Sequence, residues 1–291
     1  MQKSISDELF NSLKENLSKS WIKNDKNKFN SSSVAITSSN KYFSGLVESQ
    51  TNLLDITSEH ASLVLAISNK DAFVNSVISL VSGEFILNPL IVKILCDHVR
   101  RTGVKLSYSV FDLYKNNLFY CEDIMELYYK PPVDVLEKIK DWKFRNNFIY
   151  YDLTKDLAKQ LKECALLGTE THFSSSSKSL YGASILVGNK IYFAGVHSSF
   201  DKRLNLHAEM SVFLSALSDG NTSIEALGIV STKFKNDIAH VCGCCRQFLS
   251  EIQNKNGISI EVYCFSYETE NVFKIKLEDY FPYAWDHKFT H

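Results

Sequence analysis

The chain repeats itself. Tyr42, Phe43 and Gly45 recur as Tyr192, Phe193 and Gly195, and the same offset of 150 pairs Ser49 with Ser199, Glu59 with Glu209, Ala66 with Ala216 and Ser68 with Ser218. Seven matches at one offset make the two halves copies of one domain. Further on the offset drifts between 151 and 154, pairing Pro89 with Val241, Gly103 with Gly257 and Pro131 with Pro282, as short loop insertions do. The competing reading is coincidence between two strand-turn-strand segments of similar composition. A length of 291 residues agrees with duplication, since it suits two domains of ~100 to 200 residues each. Pro131 and Pro132 close the first copy, and Val133 to Asn146 reads as a charged helix or linker. Residues 1–146 and 147–291 are the expected units.

The second copy gives the clearer local signals. Asp152 can cap a helix through Leu167. Tyr181 to Val187 and Lys190 to Val196 are runs rich in Ile, Val, Tyr and Phe around Gly188-Asn189, which predicts a hairpin. His207 to Leu217 has helical spacing, Ala226 to Ser231 is a continuous apolar strand, and Arg246 to Gln253 carries Phe248, Leu249 and Ile252 on one helical face. Ile258 to Phe265 and Val272 to Leu277 supply two more strands. The same order can be traced from Val34 to Leu127, preceded by an amphipathic helix from about Ser6 to Lys23. The expected architecture is two tandem three-layer α/β/α domains, each a mixed five-stranded sheet with helices on both faces.

Composition excludes several classes. With 45% hydrophobic and 22% charged residues, the chain is neither disordered nor collagen-like. A net charge of −1 lacks the basic footprint of a polynucleotide binder, so nucleic acid is disfavoured as a partner. The most apolar stretch, Phe73 to Leu95, is interrupted by Asn75, Glu84, Asn88, Pro89 and Lys93, which argues against a membrane span. Seven cysteines, three of them within Cys242 to Cys245, and an opening without a secretory apolar core favour a reducing, cytoplasmic setting.

The chemistry concentrates at two helix starts in the second copy. His207-Ala208-Glu209 opens one helix and Cys242-Gly243-Cys244-Cys245 the next. Catalytic zinc takes three protein ligands, preferably imidazole and thiolate, and His207, Cys242 and Cys245 supply that set. Cysteines three apart share one helical face, and the helix N-terminus favours their thiolate forms. Cys244 lies off that face and is the alternative ligand. Arg246 follows directly, either as a guanidinium beside the thiolates or as a surface residue. Glu209 is the candidate proton acceptor for a metal-activated water. The bland alternative makes His207 and Glu209 a capping pair and the cysteines a core cluster.

These residues resemble the cytidine deaminase family, whose pattern is [His/Cys]-Ala-Glu followed by Pro-Cys-x-x-Cys and often Arg-Gln-Phe-Leu. Here the match reads His207-Ala208-Glu209 and Cys242-Gly243-Cys244-Cys245-Arg246-Gln247-Phe248-Leu249, with further likeness in Gly182-Ala183, Gly195 and Leu277 to Trp285. The resemblance covers nearly all of residues 150–291 and implies zinc-dependent hydrolytic deamination of a cytosine ring, with Glu209 carrying protons to N3 and then to the departing amine. It also implies base recognition by the N–H of Ala208 and the carbonyl of His240. In the first copy Thr57 stands where His207 stands, with Leu90 and Lys93 in the places of Cys242 and Cys245, so that copy is expected to be degenerate and non-catalytic.

The chain departs from the family in four places. The ribose-binding Asn-x-Glu-Asn is replaced by His197-Ser198-Ser199-Phe200, which leaves His197 and Ser199 as candidate substrate contacts or plain loop residues. Ser179 replaces a pocket aromatic, and Val241 replaces the proline before the first cysteine. In the familiar bacterial tandem type of the family the catalytic copy comes first, whereas here it would be second. The expectation is a pyrimidine-salvage enzyme acting on a small nucleoside as a homodimer. The alternatives are another cytosine-containing substrate, such as a nucleotide, nucleoside antibiotic or single-stranded nucleic acid, and a non-catalytic zinc-bearing module.

Overall fold

The hairpins, helix caps and parallel crossovers assemble into two α/β units, one reaching Phe144 and the other starting at Arg145. The computed structural model describes residues 4–21, 30–48, 55–83, 85–128, 139, 141–173, 179–197, 205–282 and 284. Each unit is described by itself.

In the first unit, Ser6 accepts from the Leu9 N–H and starts helix α1 (Asp7–Leu17), which turns Leu9, Phe10 and Leu13 inward. Strands β1 (Asn30–Ile36), β2 (Lys41–Gly45), β3 (Ser76–Ser82), β4 (Ser107–Asp112) and β5 (Asn117–Cys121) form a sheet in the order β2-β1-β3-β4-β5. The β3–β4 pair is parallel and the others antiparallel. Helices α2 (Ser58–Ser68) and α3 (Pro89–Thr102) supply the crossovers.

Strand β1 is buried over most of its length because helices cover both its faces. Successive side chains of a strand point to opposite sides. Ser32 donates to the Leu13 carbonyl in α1 and Val34 packs with Leu9, Phe10 and Leu13, while Ser31 and Ser33 hydrogen-bond to Ser58 in α2.

The second unit repeats this plan with one addition. Strands β6 (Phe148–Tyr150), β7 (Tyr181–Val187), β8 (Lys190–Gly195), β9 (Ala226–Ser231), β10 (Glu261–Phe265) and β11 (Val272–Lys276) lie in the order β11-β10-β9-β7-β8-β6. Helices are α4 (Leu157–Thr169), α5 (Ala208–Ser218), α6 (Gly243–Asn256) and the short α7 (Leu277–Tyr280). A Cβ on Gly195 would lie 2.6 Å from the Gly168 carbonyl oxygen, and one on Gly182 would collide with the Ala165 carbonyl. Glycine at these two positions lets α4 settle directly on the β7–β8 hairpin.

Matching isolated bridges occur in both units. Val47 bridges Trp21 in parallel and Ile56 in antiparallel fashion, and His197 does the same with Phe173 and Leu206. Each set pins the residue immediately before a helix N-cap, Thr57 of α2 or His207 of α5.

Several sequence expectations need correction. The second sheet has six strands because Phe148–Tyr150 adds to the outer edge of β8. Asp152 does not cap α4: its carboxylate accepts from the Thr154 N–H and hydroxyl in a local turn, and Asp156 caps the helix instead. Helix α1 ends at Leu17, well before Lys23, which lies outside the described residues, as does half of Val133 to Asn146. Helix α3 runs from N-cap Asn88 to Gly103 and α6 from N-cap Cys242 to Gly257, so the two helices correspond at a constant offset of 154. Asn88 and Ile91, rather than Leu90 and Lys93, therefore stand where Cys242 and Cys245 stand. No helix among the described residues is long and apolar enough to cross a membrane.

Candidate metal centre

Two helix starts converge in the second unit. His207 is the N-cap of α5 and Cys242 the N-cap of α6, both in extended conformation. An N-cap side chain normally accepts a hydrogen bond from its own helix. Cys242 does so, its sulfur accepting from the Cys245 N–H at 3.5 Å, but the His207 side chain makes no such bond. Its imidazole faces the cysteines instead, with Nδ1 3.3 Å from Cys242 Sγ and 3.4 Å from Cys245 Sγ.

Main-chain tethers set these positions. Leu206 and His197 exchange hydrogen bonds of 2.9 and 3.0 Å immediately before His207. On the other side, Ala239 N–H donates to the Phe265 carbonyl and Ile238 bridges Ser266, tying the segment before Cys242 to the end of β10.

The donor set fits zinc. The three ligand atoms lie within 4.8 Å of one another, and they form the single His/Cys/Asp/Glu group suited to a metal among the described residues. Tetrahedral zinc with Zn–N of 2.0–2.1 Å and Zn–S near 2.3 Å requires N to S distances of about 3.6 Å, close to those observed. Hydrogen bonds from Cys245 and His207 pull the Cys242 thiol down to about 4, against its burial. Burial holds the Cys245 thiol well above its ordinary range. A hydrogen bond with Cys242 raises His207.

Glu209 is the second residue of α5 and 3% exposed. Burial raises its pKa, opposed by His207. A carboxyl whose pKa is raised by burial takes up a proton more readily than an exposed one, the property a proton carrier needs.

The other sequence candidates are spread around this point. Ala208 is fully buried beside His207. His197 is buried, with its ring stacked on Phe173 at 5.5 Å and 5° between planes. Ser199 lies outside the described residues. His240 is exposed and its Nδ1 pairs with the Tyr280 hydroxyl at 2.9 Å. Arg246 donates to the Tyr280 carbonyl at 3.3 Å and lies over the Tyr280 and Phe281 rings at 4.8 and 5.4 Å. Cys244 is exposed, away from the three converging donors.

Among the described residues the first unit has no equivalent donor group. Thr57 caps α2 by accepting from the His60 N–H, and Asn88 caps α3 by accepting from the Leu90 N–H. Glu59 is retained and 3% exposed, but it accepts from Ser79 at 2.7 Å and Tyr108 at 2.9 Å, with Ser58 at 3.4 Å. Strand registers place Ala183 and Ile229 opposite each other where Ser33 and Ser79 pair, and Val262 in the place of Tyr108. Sequence reading missed this hydroxyl cage and the His240–Tyr280 pair, since their members are distant in the chain.

The chain is thus a two-unit α/β protein with a His-Cys-Cys centre and a buried glutamate in its second unit. No family model matches it, and no curated protein matches it. Among solved structures it is similar to the cytidine deaminase of Burkholderia pseudomallei, at 22% identity over 44% of this chain and 98% of that one, with a TM-score of 0.40. The cytidine deaminase of Mycobacterium tuberculosis is 22% identical over 45% of this chain and 99% of that one, with a TM-score of 0.38. That of Bacillus anthracis is 13% identical over 46% and 94%, with a TM-score of 0.35.

Proposed function

We propose that the second unit, residues 147–291, is a zinc-dependent hydrolase that converts a cytosine-containing nucleoside to its uracil counterpart and ammonia, and that the first unit, residues 1–146, is a non-catalytic copy. The observation that carries this reading is the convergence of His207, Cys242 and Cys245 beside the buried Glu209. When bound by three protein ligands, zinc lowers the pKa of a water enough for hydrolysis near neutral pH. His207, Cys242 and Cys245 would hold it.

Glu209 then takes the proton released from water and delivers it to ring N3 as C4 is attacked, and moves a second proton to the departing amine. The Ala208 N–H and the His240 carbonyl orient the base, and His197, in the place of the family's ribose-binding asparagine, meets the sugar. Arg246, next to Cys245 in the chain, supports the site through Tyr280, whose carbonyl and ring its guanidinium meets. The small substrate accords with the near-zero net charge, which gives no basic groove for a polynucleotide. The reading extends to a cytoplasmic homodimer in pyrimidine salvage.

Purified protein of known zinc content is incubated with cytidine, deoxycytidine, their monophosphates, cytosine, a cytosine nucleoside antibiotic and single-stranded oligonucleotides. Glu209-dependent ammonia release from cytidine or deoxycytidine is the expected result. Stoichiometric zinc without release from any of them would overturn the deaminase reading in favour of a non-catalytic metal-bearing module.

A further inference from the structure

Cys242 and Cys245 occupy one turn, and both flanks of that turn reach the same residue. On the upstream flank His240, two positions before Cys242, pairs through Nδ1 with the Tyr280 hydroxyl at 2.9 Å. On the downstream flank Arg246, next to Cys245, donates to the Tyr280 carbonyl at 3.3 Å and covers the Tyr280 ring at 4.8 Å. Tyr280 ends α7, the short helix that follows β11, and Phe273 of β11 packs against both rings, at 5.8 Å from His240 and 6.0 Å from Tyr280. A residue fixed at its side-chain ring and hydroxyl and at its main-chain carbonyl has little freedom left to adapt, so it transmits its own position to what it touches.

We infer that Tyr280 is a positioning residue for the metal centre, bracing the His240–Arg246 turn from both ends so that the two sulfurs stay in register with His207. The inference rests on the proposed metal-dependent reading and gives a role to a residue that lies outside the His207, Glu209, Cys242 and Cys245 set. The hydroxyl contact with His240 holds the upstream flank, and the carbonyl and ring hold the downstream one. Removing the hydroxyl frees only the former.

The test compares wild type, Tyr280→Phe, His240→Ala and the double variant, each loaded with cobalt(II) as a spectroscopic probe or with zinc. Zinc release to a chromogenic chelator and the visible cobalt spectrum are read alongside thermal unfolding, kcat and KM. Tyr280→Phe and His240→Ala are each expected to release zinc about 5- to 10-fold faster, a range typical of lost ligand-supporting contacts. The double variant should release zinc with less than the combined effect of the two, because both changes remove the shared His240–Tyr280 contact, while the hydroxyl also meets Val241 and Cys264 and the His240 ring also packs on Phe273. Unfolding temperature should change little.

Zinc release and cobalt spectra unchanged in both single variants, or additive effects in the double variant, would overturn the inference. These readouts need no substrate. An absence of ammonia release with a normal wild-type cobalt spectrum therefore counts against the deaminase reading alone, whereas a wild type that takes up no metal counts against both.

Discussion

Tyr108 donates to Glu59 at 2.9 Å, whereas the residue at its position beside Glu209 is Val262, which has no hydroxyl to offer. Both glutamates are second residues of a helix and both are 3% exposed. One carboxyl is held by donors, and the other is raised by burial beside an imidazole and two sulfurs. The same residue type thus serves as a structural acceptor in one copy and a candidate proton carrier in the other.

Exchanging the two residues separates these roles. Glu209→Gln should lower turnover by roughly 10²- to 10⁴-fold while leaving bound zinc in place. Glu59→Ala should leave turnover per folded molecule unchanged but strip the Tyr108 hydroxyl of its acceptor, at about 1–3 kcal/mol for a buried group left unpaired, while Ser79 keeps its partner Ser33. Denaturant unfolding and steady-state assays on both variants check this, and a Glu59→Ala protein of wild-type stability contradicts it.

Metal content is expected at one zinc per chain. Cys245→Ala should abolish it, since a fully buried ligand has no substitute, and Asn88→Asp should not add a second ion. Elemental analysis of each purified variant measures both outcomes.

Acid should weaken the first unit early. Burial holds His98 at about 4 and His60 at about 3, with Arg101 acting in the same direction on both. Both are therefore neutral in the fold, while the unfolded chain takes up their protons below 6.5, so stability falls as pH drops from about 6.5 toward 4. The slope is ~1.4 kcal/mol per histidine per pH unit. Melting curves from pH 7 to 4.5 should show this loss, and His98→Gln should flatten it.

Adding a side chain to the β7–β8 hairpin should be costly. Gly182→Ala places a methyl group against the Ala165 carbonyl and Thr169 N–H, so α4 must lift from the sheet. The expected penalty is about 3 kcal/mol or more, above the usual range for overpacking because the obstacle is backbone. Urea titration reads it directly, and a change under 1 kcal/mol would place the helix elsewhere.

Much of the second unit is legible in its sequence because its signals are local. Gly188-Asn189 marks the hairpin turn, Ala226 to Ser231 appears as the strand observed, and the spacing of Cys242 and Cys245 puts both on one turn. What sequence reading misses is non-local. Strand β6 is three residues long and exists through pairing with β8, leaving no periodicity to detect. The Asp152 error is a choice between two aspartates, settled by where the helix begins to pack. The mistaken pairing of Leu90 and Lys93 with the cysteines comes from anchoring on Pro89, while the caps at Asn88 and Gly103 fix the register.

One contrast between the copies bears on how the chain holds together as a whole. Thr57 spends its side chain closing its own helix, and His207 turns away from its helix toward the sulfurs, forgoing a cap worth about 1 kcal/mol. The start of α5 is therefore finished by whatever the imidazole binds. Because ligand binding is also folding free energy, the two copies would answer differently to scarcity: starved of zinc, the second unit loosens first while the first keeps its shape. The unit that gathers the three donors would then double as a gauge of metal supply.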